Sequence, residues 1–115
     1  MASLTTHVLN LADGKPASRV KIDCLEIRDG EYFHLKTDYT NEDGRLDAPI
    51  VEEGSLHDGT YELVFHIGDY FKERGVDGQP FLQTIPVRFG VEAGEDHYHV
   101  PLLVSPFGYQ VYRGS

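Results

Sequence analysis

The chain has 115 residues, which is the size of one domain, and its formal net charge at pH 7 is −9. We therefore expect a single domain spanning residues 1–115. The ten lysines and arginines are scattered singly, which disfavours partnership with nucleic acid or with an anionic membrane surface. No apolar run approaches the roughly 18 residues that a membrane-spanning helix needs.

Two features at the start of the chain bear on its cellular compartment. Residues 1–7 contain neither a basic region nor an apolar core, so no secretory signal is visible and a cytoplasmic protein is expected. Cys24 is the only cysteine and can form no disulfide within the chain. It lies in an apparent strand, where we expect a buried and unreactive thiol.

Short stretches of alternating apolar and polar residues predict seven or eight strands. In chain order, the candidates are 5–11, 19–27, 32–40, 60–67, 84–89, 97–104 and 107–113. A short helix is expected at 70–74, after Gly68 and Asp69. Pro86 has no N–H to donate within a central strand and therefore indicates an edge strand or a bulge at that point. Short strands with turns at roughly ten-residue intervals favour an all-β fold, an antiparallel β-sandwich.

Three histidines are the main candidates for chemistry. His7 lies in the middle of the first predicted strand, where a histidine among apolar neighbours is usually structural. His97 and His99 are two residues apart on a strand and so project from the same face. The same spacing suits a metal, although a third ligand would have to come from His7, His66 or Asp96.

Arg45 directly follows the tight turn that contains Asp43 and Gly44. Considered alone, such an arginine is most often a solvated loop residue. The carboxylates form no convincing catalytic pair, and no nucleophile elbow or phosphate-binding loop is present. A water molecule activated by a histidine base therefore fits the residues better than covalent catalysis.

Residues 112–115 add an aromatic ring, a fixed positive charge, a glycine and a hydroxyl directly after a β-rich segment. These groups can hold and polarise a small molecule. We expect Tyr112, Arg113, Gly114 and Ser115 to form part of a site.

Together, these motifs resemble the 5-hydroxyisourate hydrolases, the enzyme branch of the transthyretin family. The resemblance covers essentially the whole chain. Its motifs are the segments 6–10 (Thr-His-Val-Leu-Asn), 43–45 (Asp-Gly-Arg), 97–106 (His-Tyr-His-Val-Pro-Leu-Leu-Val-Ser-Pro) and 112–115 (Tyr-Arg-Gly-Ser), with 14–17 (Gly-Lys-Pro-Ala) and 68–71 (Gly-Asp-Tyr-Phe) between them. Asn10 departs from the aspartate common at that position.

The resemblance implies a transthyretin-like sandwich of two four-stranded sheets with one short helix. It also implies a homotetramer, a dimer of dimers, with active sites in the channel between the dimers. The implied reaction is hydrolysis of 5-hydroxyisourate to 2-oxo-4-hydroxy-4-carboxy-5-ureidoimidazoline in urate breakdown, with no metal or organic cofactor.

By similarity, some residues would act in catalysis and others in substrate binding. The implied catalytic residues are His7, Arg45 and His99, and the implied substrate-binding residues are His97, Tyr112, Arg113, Gly114 and Ser115. Either His7 or His99 would deprotonate the attacking water, and Arg45 would stabilise the developing negative charge.

Two other functions remain open from the sequence. The first is a non-catalytic, transthyretin-like carrier of a small aromatic ligand. Transthyretin itself lacks the closing Tyr-Arg-Gly-Ser segment and has other residues in place of His7, Arg45 and His99. The second is a metal-binding interaction domain built on His97 and His99.

Overall fold

The computed structural model describes residues 2–92, 94 and 97–114 as a sandwich of two four-stranded sheets with one short helix, as predicted. The elements are β1 (Ser3–Asn10), β2 (Lys15–Pro16), β3 (Lys21–Arg28), β4 (Glu31–Tyr39), β5 (Gly59–His66), α1 (Ile67–Glu73), β6 (Thr84–Val91), β7 (His97–Ser105) and β8 (Gly108–Val111). The helix is too short to cross a membrane, and no other helix within the described residues is long and apolar enough to do so.

The strand order is β2-β1-β7-β8 in the first sheet and β4-β3-β5-β6 in the second. Of the strand pairs that the described residues form, five are antiparallel, whereas β1 and β7 run parallel. This parallel pair departs from a purely antiparallel sandwich. A two-residue hairpin can join only antiparallel strands, but the whole second sheet lies between β1 and β7 in the chain, so the chain can return in the same direction.

The two faces of β1 differ, as expected from the alternation of side chains along a strand. Leu4, Thr6, Val8 and Asn10 are buried in the core, whereas the residues between them are only partly buried on the outer face. The core between the sheets contains aliphatic and aromatic side chains that are fully or almost fully buried; the largest are Tyr61, Phe65, Leu4, Ile22, Leu63, Ile67, Ile85 and Leu102.

The helix begins at Ile67, three residues before the position expected from the sequence. The backbone N–H of Gly68 donates to the carbonyl of Gln83 (2.8 Å), so this N–H is satisfied without a capping side chain and the helix follows β5 directly. The amide of Asn10 donates to the hydroxyl of Tyr70 (3.1 Å) in the core. This bond connects the helix to β1.

Two smaller predictions are confirmed. Pro86 lies in β6, which is an edge strand. Cys24 is fully buried, and burial raises the pKa of its thiol to about 12, so the thiolate is not populated near neutral pH.

Candidate active site

Residues from β1, from the segment 45–48 that follows the Asp43-Gly44 turn, and from β7 meet at the first sheet. They surround a depression of about 240 Å³. The lining residues are Thr5, Thr6, Arg45, Leu46, Ala48, His97 and His99. The predicted candidates Arg45, His97 and His99 therefore lie together, although the first two are 52 positions apart in the sequence.

His99 projects from β7 toward this depression and has one ring nitrogen engaged. Its Nδ1 atom lies 2.8 Å from the hydroxyl of Thr5, the residue opposite it in the parallel pair. Within the described residues, its Nε2 atom has no hydrogen-bond partner. A neutral imidazole of this kind can offer Nε2 to a small molecule in the depression.

His7 contacts the turn that carries Arg45 rather than lining the depression. Its Nε2 atom lies 3.0 Å from the backbone carbonyl oxygen of Asp43. A carbonyl only accepts, so Nε2 carries a hydrogen, and the lone pair of the neutral ring is on Nδ1. His7 and Arg45 also form an isolated antiparallel bridge. His7 thus holds the Arg45 turn against β1.

The turn is further held by Asn41 and Gly44. The side-chain oxygen of Asn41 accepts from the backbone N–H groups of Asp43 (2.9 Å) and Arg45 (3.2 Å). Gly44 has a φ of 74°, and a Cβ atom there would lie 2.4 Å from the carbonyl oxygen of Val8. Only glycine permits both this conformation and this close approach, which bring Arg45 beside the histidines.

The electrostatics of the site favour neutral imidazoles. Burial lowers the pKa of both His7 and His99 below its usual value, and the nearby positive charge of Arg45 lowers each pKa further. His97 and His7 add to the lowering of the pKa of His99. Near neutral pH the two rings are therefore mainly unprotonated and able to accept a proton.

The C-terminal segment reaches this site through Gly114. Its backbone N–H donates to the carbonyl of His99 (2.8 Å). A Cβ atom on Gly114 would lie 2.6 Å from Cδ2 of His99, because the glycine packs directly on the imidazole ring. The last predicted site residue, Ser115, lies outside the described residues.

Tyr112 and Arg113 line a different cavity, of about 410 Å³, between β6 and the end of the chain. The guanidinium of Arg113 lies 4.1 Å from the ring centroid of Tyr98. Within one chain the predicted site residues that line these cavities are therefore divided between the two. The smaller cavity is the candidate active site, because it is lined by Arg45, His97 and His99, and because the pKa of His99 is lowered there.

Thr5 is a site residue that the sequence analysis did not identify. Its hydroxyl contacts both His97 and His99. Because side chains alternate along a strand, Thr5 and His7 share a face of β1, but no local signal in the sequence reveals that β1 pairs with β7. The contact follows only from the register of that pairing.

The metal-binding alternative, built on His97 and His99, requires a third ligand. Within the part of the chain that the structure describes, no three His, Cys, Asp or Glu side chains are arranged to hold a metal ion. His66 bonds to Asp23 on the second sheet (2.8 Å), and Asp96 lies outside the described residues.

Comparison with known proteins finds similarity to both 5-hydroxyisourate hydrolases and transthyretins. The model of the HIUase/Transthyretin family matches residues 4–114. The 5-hydroxyisourate hydrolase 2 of Rhizobium meliloti (strain 1021) is 52% identical over 115 residues, covering 97% of this chain and 95% of the relative.

Two solved structures confirm the transthyretin-like sandwich. Klebsiella pneumoniae 5-hydroxyisourate hydrolase superposes with a TM-score of 0.82 at 34% identity, covering 100% of both chains. Transthyretin from Sparus aurata superposes with a TM-score of 0.88 at 26% identity, covering 97% of this chain and 96% of the other. Because the fold is common to both, the side chains of the site must distinguish an enzyme from a carrier.

Proposed function

The chain belongs to the HIUase/transthyretin family, and we propose that it hydrolyses 5-hydroxyisourate to 2-oxo-4-hydroxy-4-carboxy-5-ureidoimidazoline with His99 as the general base. The observation that carries this proposal is the depression in which His99 and Arg45 lie together. The extensive similarity to 5-hydroxyisourate hydrolases supports the choice of substrate.

His99 is favoured over His7 as the base because of the atoms that each ring exposes. Nε2 of His7 is occupied by the carbonyl of Asp43, and this ring supports the turn. Nδ1 of His99 is occupied by Thr5, whereas its Nε2 has no hydrogen-bond partner among the described residues, and His99, unlike His7, lines the depression. A base must reach the proton that it removes, so geometry favours His99 before any comparison of pKa values.

In the proposed reaction, Nε2 of His99 takes a proton from water as the water oxygen bonds to the ring carbonyl carbon. Arg45 stabilises the oxyanion that forms, because its guanidinium remains charged and presents planar pairs of donors. The C–N bond of the substrate ring then breaks, and the proton on Nε2 passes to the departing nitrogen. His99 returns to its neutral form, so the residues are regenerated in each turnover.

The C-terminal residues would close the pocket around the substrate. Gly114 packs on His99 within the chain, and Tyr112 is half exposed. We propose that His97, Tyr112, Arg113, Gly114 and Ser115 complete the contacts to the substrate in a homotetramer, a dimer of dimers, with its active sites in the channel between the dimers. We further propose that the enzyme acts in the cytoplasm and needs no metal or organic cofactor.

The direct test is to follow the ultraviolet absorbance of freshly generated 5-hydroxyisourate with and without the protein. We expect decay in proportion to protein concentration, well above the spontaneous rate. The chelator EDTA should leave the rate unchanged. Saturable binding of the substrate or of an aromatic ligand without any acceleration would instead support the carrier alternative and refute the enzymatic proposal.

Replacing Gly114 with alanine should lower kcat by about 10-fold or more, since the new methyl group would displace the ring of His99. Misplacing a catalytic group by about 1 Å can cost up to about 10²-fold. The matched control is Gly108→Ala, because a Cβ atom at Gly108 meets nothing within 4 Å. Equal kcat values for the two variants would show that the packing of Gly114 on His99 is unimportant.

A further inference from the structure

A single hydroxyl group connects the two histidines of β7. The Oγ1 atom of Thr5 lies 2.8 Å from Nδ1 of His99 and 3.1 Å from Nε2 of His97. On the far side of His97, its Nδ1 atom lies 3.0 Å from the hydroxyl of Ser3. The four side chains form a continuous hydrogen-bonded row from the pocket to the exposed end of the strands.

The parallel pairing of β1 and β7 creates this row. Ser3 is opposite His97, and Thr5 is opposite His99, with all four side chains on the outer face of the sheet. The two imidazole rings are nearly parallel, with an interplanar angle of 12° and centroids 6.2 Å apart. Thr5 therefore meets two rings that are already aligned.

The chemistry of a hydroxyl restricts how this row can be protonated. Thr5 has one hydrogen to donate, so between two neutral rings it donates to one and accepts from the other. In one arrangement, Nδ1–H of His99 donates to Thr5, and Thr5 donates to Nε2 of His97. In the opposite arrangement, Thr5 donates to His99, which then carries its hydrogen on Nε2 and has no lone pair at the pocket.

The surroundings of His99 favour the first arrangement. Arg45 lines the pocket and presents only donors, so it favours a lone pair rather than a hydrogen on the ring nitrogen that Thr5 leaves unoccupied. The titratable groups that act on His99 are Arg45 from the turn, His97 from β7 and His7 from β1; each of them, when charged, disfavours an added proton on His99.

We propose that Thr5 is a positioning residue that holds His99 in the tautomer with its hydrogen on Nδ1, so that the Nε2 lone pair faces the attacking water. This inference rests on the proposed function, in which His99 is the base. Thr5 does not touch the reacting atoms and acts through His99. The two histidines of β7 consequently have linked tautomers, with Nδ1 of His97 donating its hydrogen to Ser3.

Three substitutions on one strand face separate this role from simple packing. Thr5→Val keeps the β-branched shape and removes only the hydroxyl, whereas Thr5→Ser retains the hydroxyl. We expect kcat to fall about 10-fold or more in Thr5→Val with KM within about 2-fold, and Thr5→Ser to keep most of the wild-type kcat. Ser3→Ala, which removes the hydroxyl that contacts only His97, should have the smaller effect. Equal kcat values for Thr5→Val and Thr5→Ser would overturn the proposal.

The tautomer can also be measured without substrate. In two-bond ¹H–¹⁵N spectra of histidine-labelled protein at a pH where the rings are neutral, we expect the Nδ1 atom of His99 to be hydrogen-bearing and Nε2 to be bare. Thr5→Val should give a mixture of tautomers, and Thr5→Ser should restore the wild-type pattern. A wild-type His99 with its hydrogen on Nε2 would refute the assignment. Because this readout needs no turnover, it separates failure of the Thr5 proposal from failure of the proposed activity.

Discussion

Replacing His99 with asparagine should lower kcat for hydrolysis of 5-hydroxyisourate by about 10²- to 10⁴-fold, the range expected when a general base is removed. Asparagine can place an amide near the position of Nδ1 and so retain a bond to Thr5, but it cannot take a proton from water. The fold should persist, because His99 lies on the outer face of β7 rather than in the core. Steady-state ultraviolet assays, with far-ultraviolet circular dichroism to check the fold, measure both effects.

Two control variants sharpen this prediction. His57 is exposed, and its backbone N–H, not its side chain, donates to the hydroxyl of Tyr61, so His57→Asn should leave kcat unchanged. His7→Asn should have an effect smaller than that of His99→Asn, since His7 is assigned to support the Arg45 turn. A larger loss of kcat in His7→Asn than in His99→Asn would assign the base to His7 instead. Partial recovery of His99→Asn by added imidazole would support the assignment of His99.

Replacing Arg45 with methionine should lower kcat/KM by about 10²- to 10³-fold, because a preorganised positive charge at the developing oxyanion would be lost. Methionine keeps an unbranched chain but no charge. Arg45 is exposed, so the free energy of unfolding should change little. The measurement is kcat/KM across the pH range in which the histidines titrate.

The pH profile of this variant gives a second, independent result. Arg45 helps to keep the pKa values of His7 and His99 below their usual value, because its charge opposes protonation of the rings. Removing that charge should raise both pKa values. The acid limb of kcat/KM should consequently move to higher pH, since the active, neutral base would be lost sooner as the pH falls.

Arg45→Lys is the matched control for this effect. Lysine keeps the charge but not the planar pair of donors, so the acid limb should stay near its wild-type position while kcat/KM still falls. An unchanged acid limb in Arg45→Met would show that the charge of Arg45 does not act on the base. An unchanged kcat/KM in that variant would remove Arg45 from the catalytic machinery.

Much of the fold could be predicted because the alternation of apolar and polar residues that indicates a strand lies within one segment of the sequence. Alternating residues in the segment 97–104 predict one strand with His97 and His99 on the same face, and β7 has that face. Pro86 indicated an edge strand or a bulge in the same local way, because proline has no backbone N–H to donate, and it lies in the edge strand β6. The predicted start of the helix was less accurate, because the backbone N–H of Gly68 donates to the carbonyl of Gln83, which is distant in the sequence.

The site could be predicted from the sequence less completely than the fold. The resemblance selected His7, Arg45 and His99, and the structure brings all three to adjoining positions around β1 and β7. The resemblance did not reveal that Arg113 packs on Tyr98 while Gly114 packs on His99. Successive residues of an extended chain point to opposite sides, so neighbours in one motif can serve different cavities.

The sequence by itself determined the strands other than the two-residue β2, their inward and outward faces, the turn glycines and the types of chemical group available. These properties depend on side-chain alternation and on local backbone conformation, which each segment carries alone. The tertiary structure decided which groups meet. The parallel register of β1 and β7 places Thr5 between His97 and His99, across more than 90 residues of chain. That register results from how the two sheets bury their apolar faces together, and no short segment encodes it.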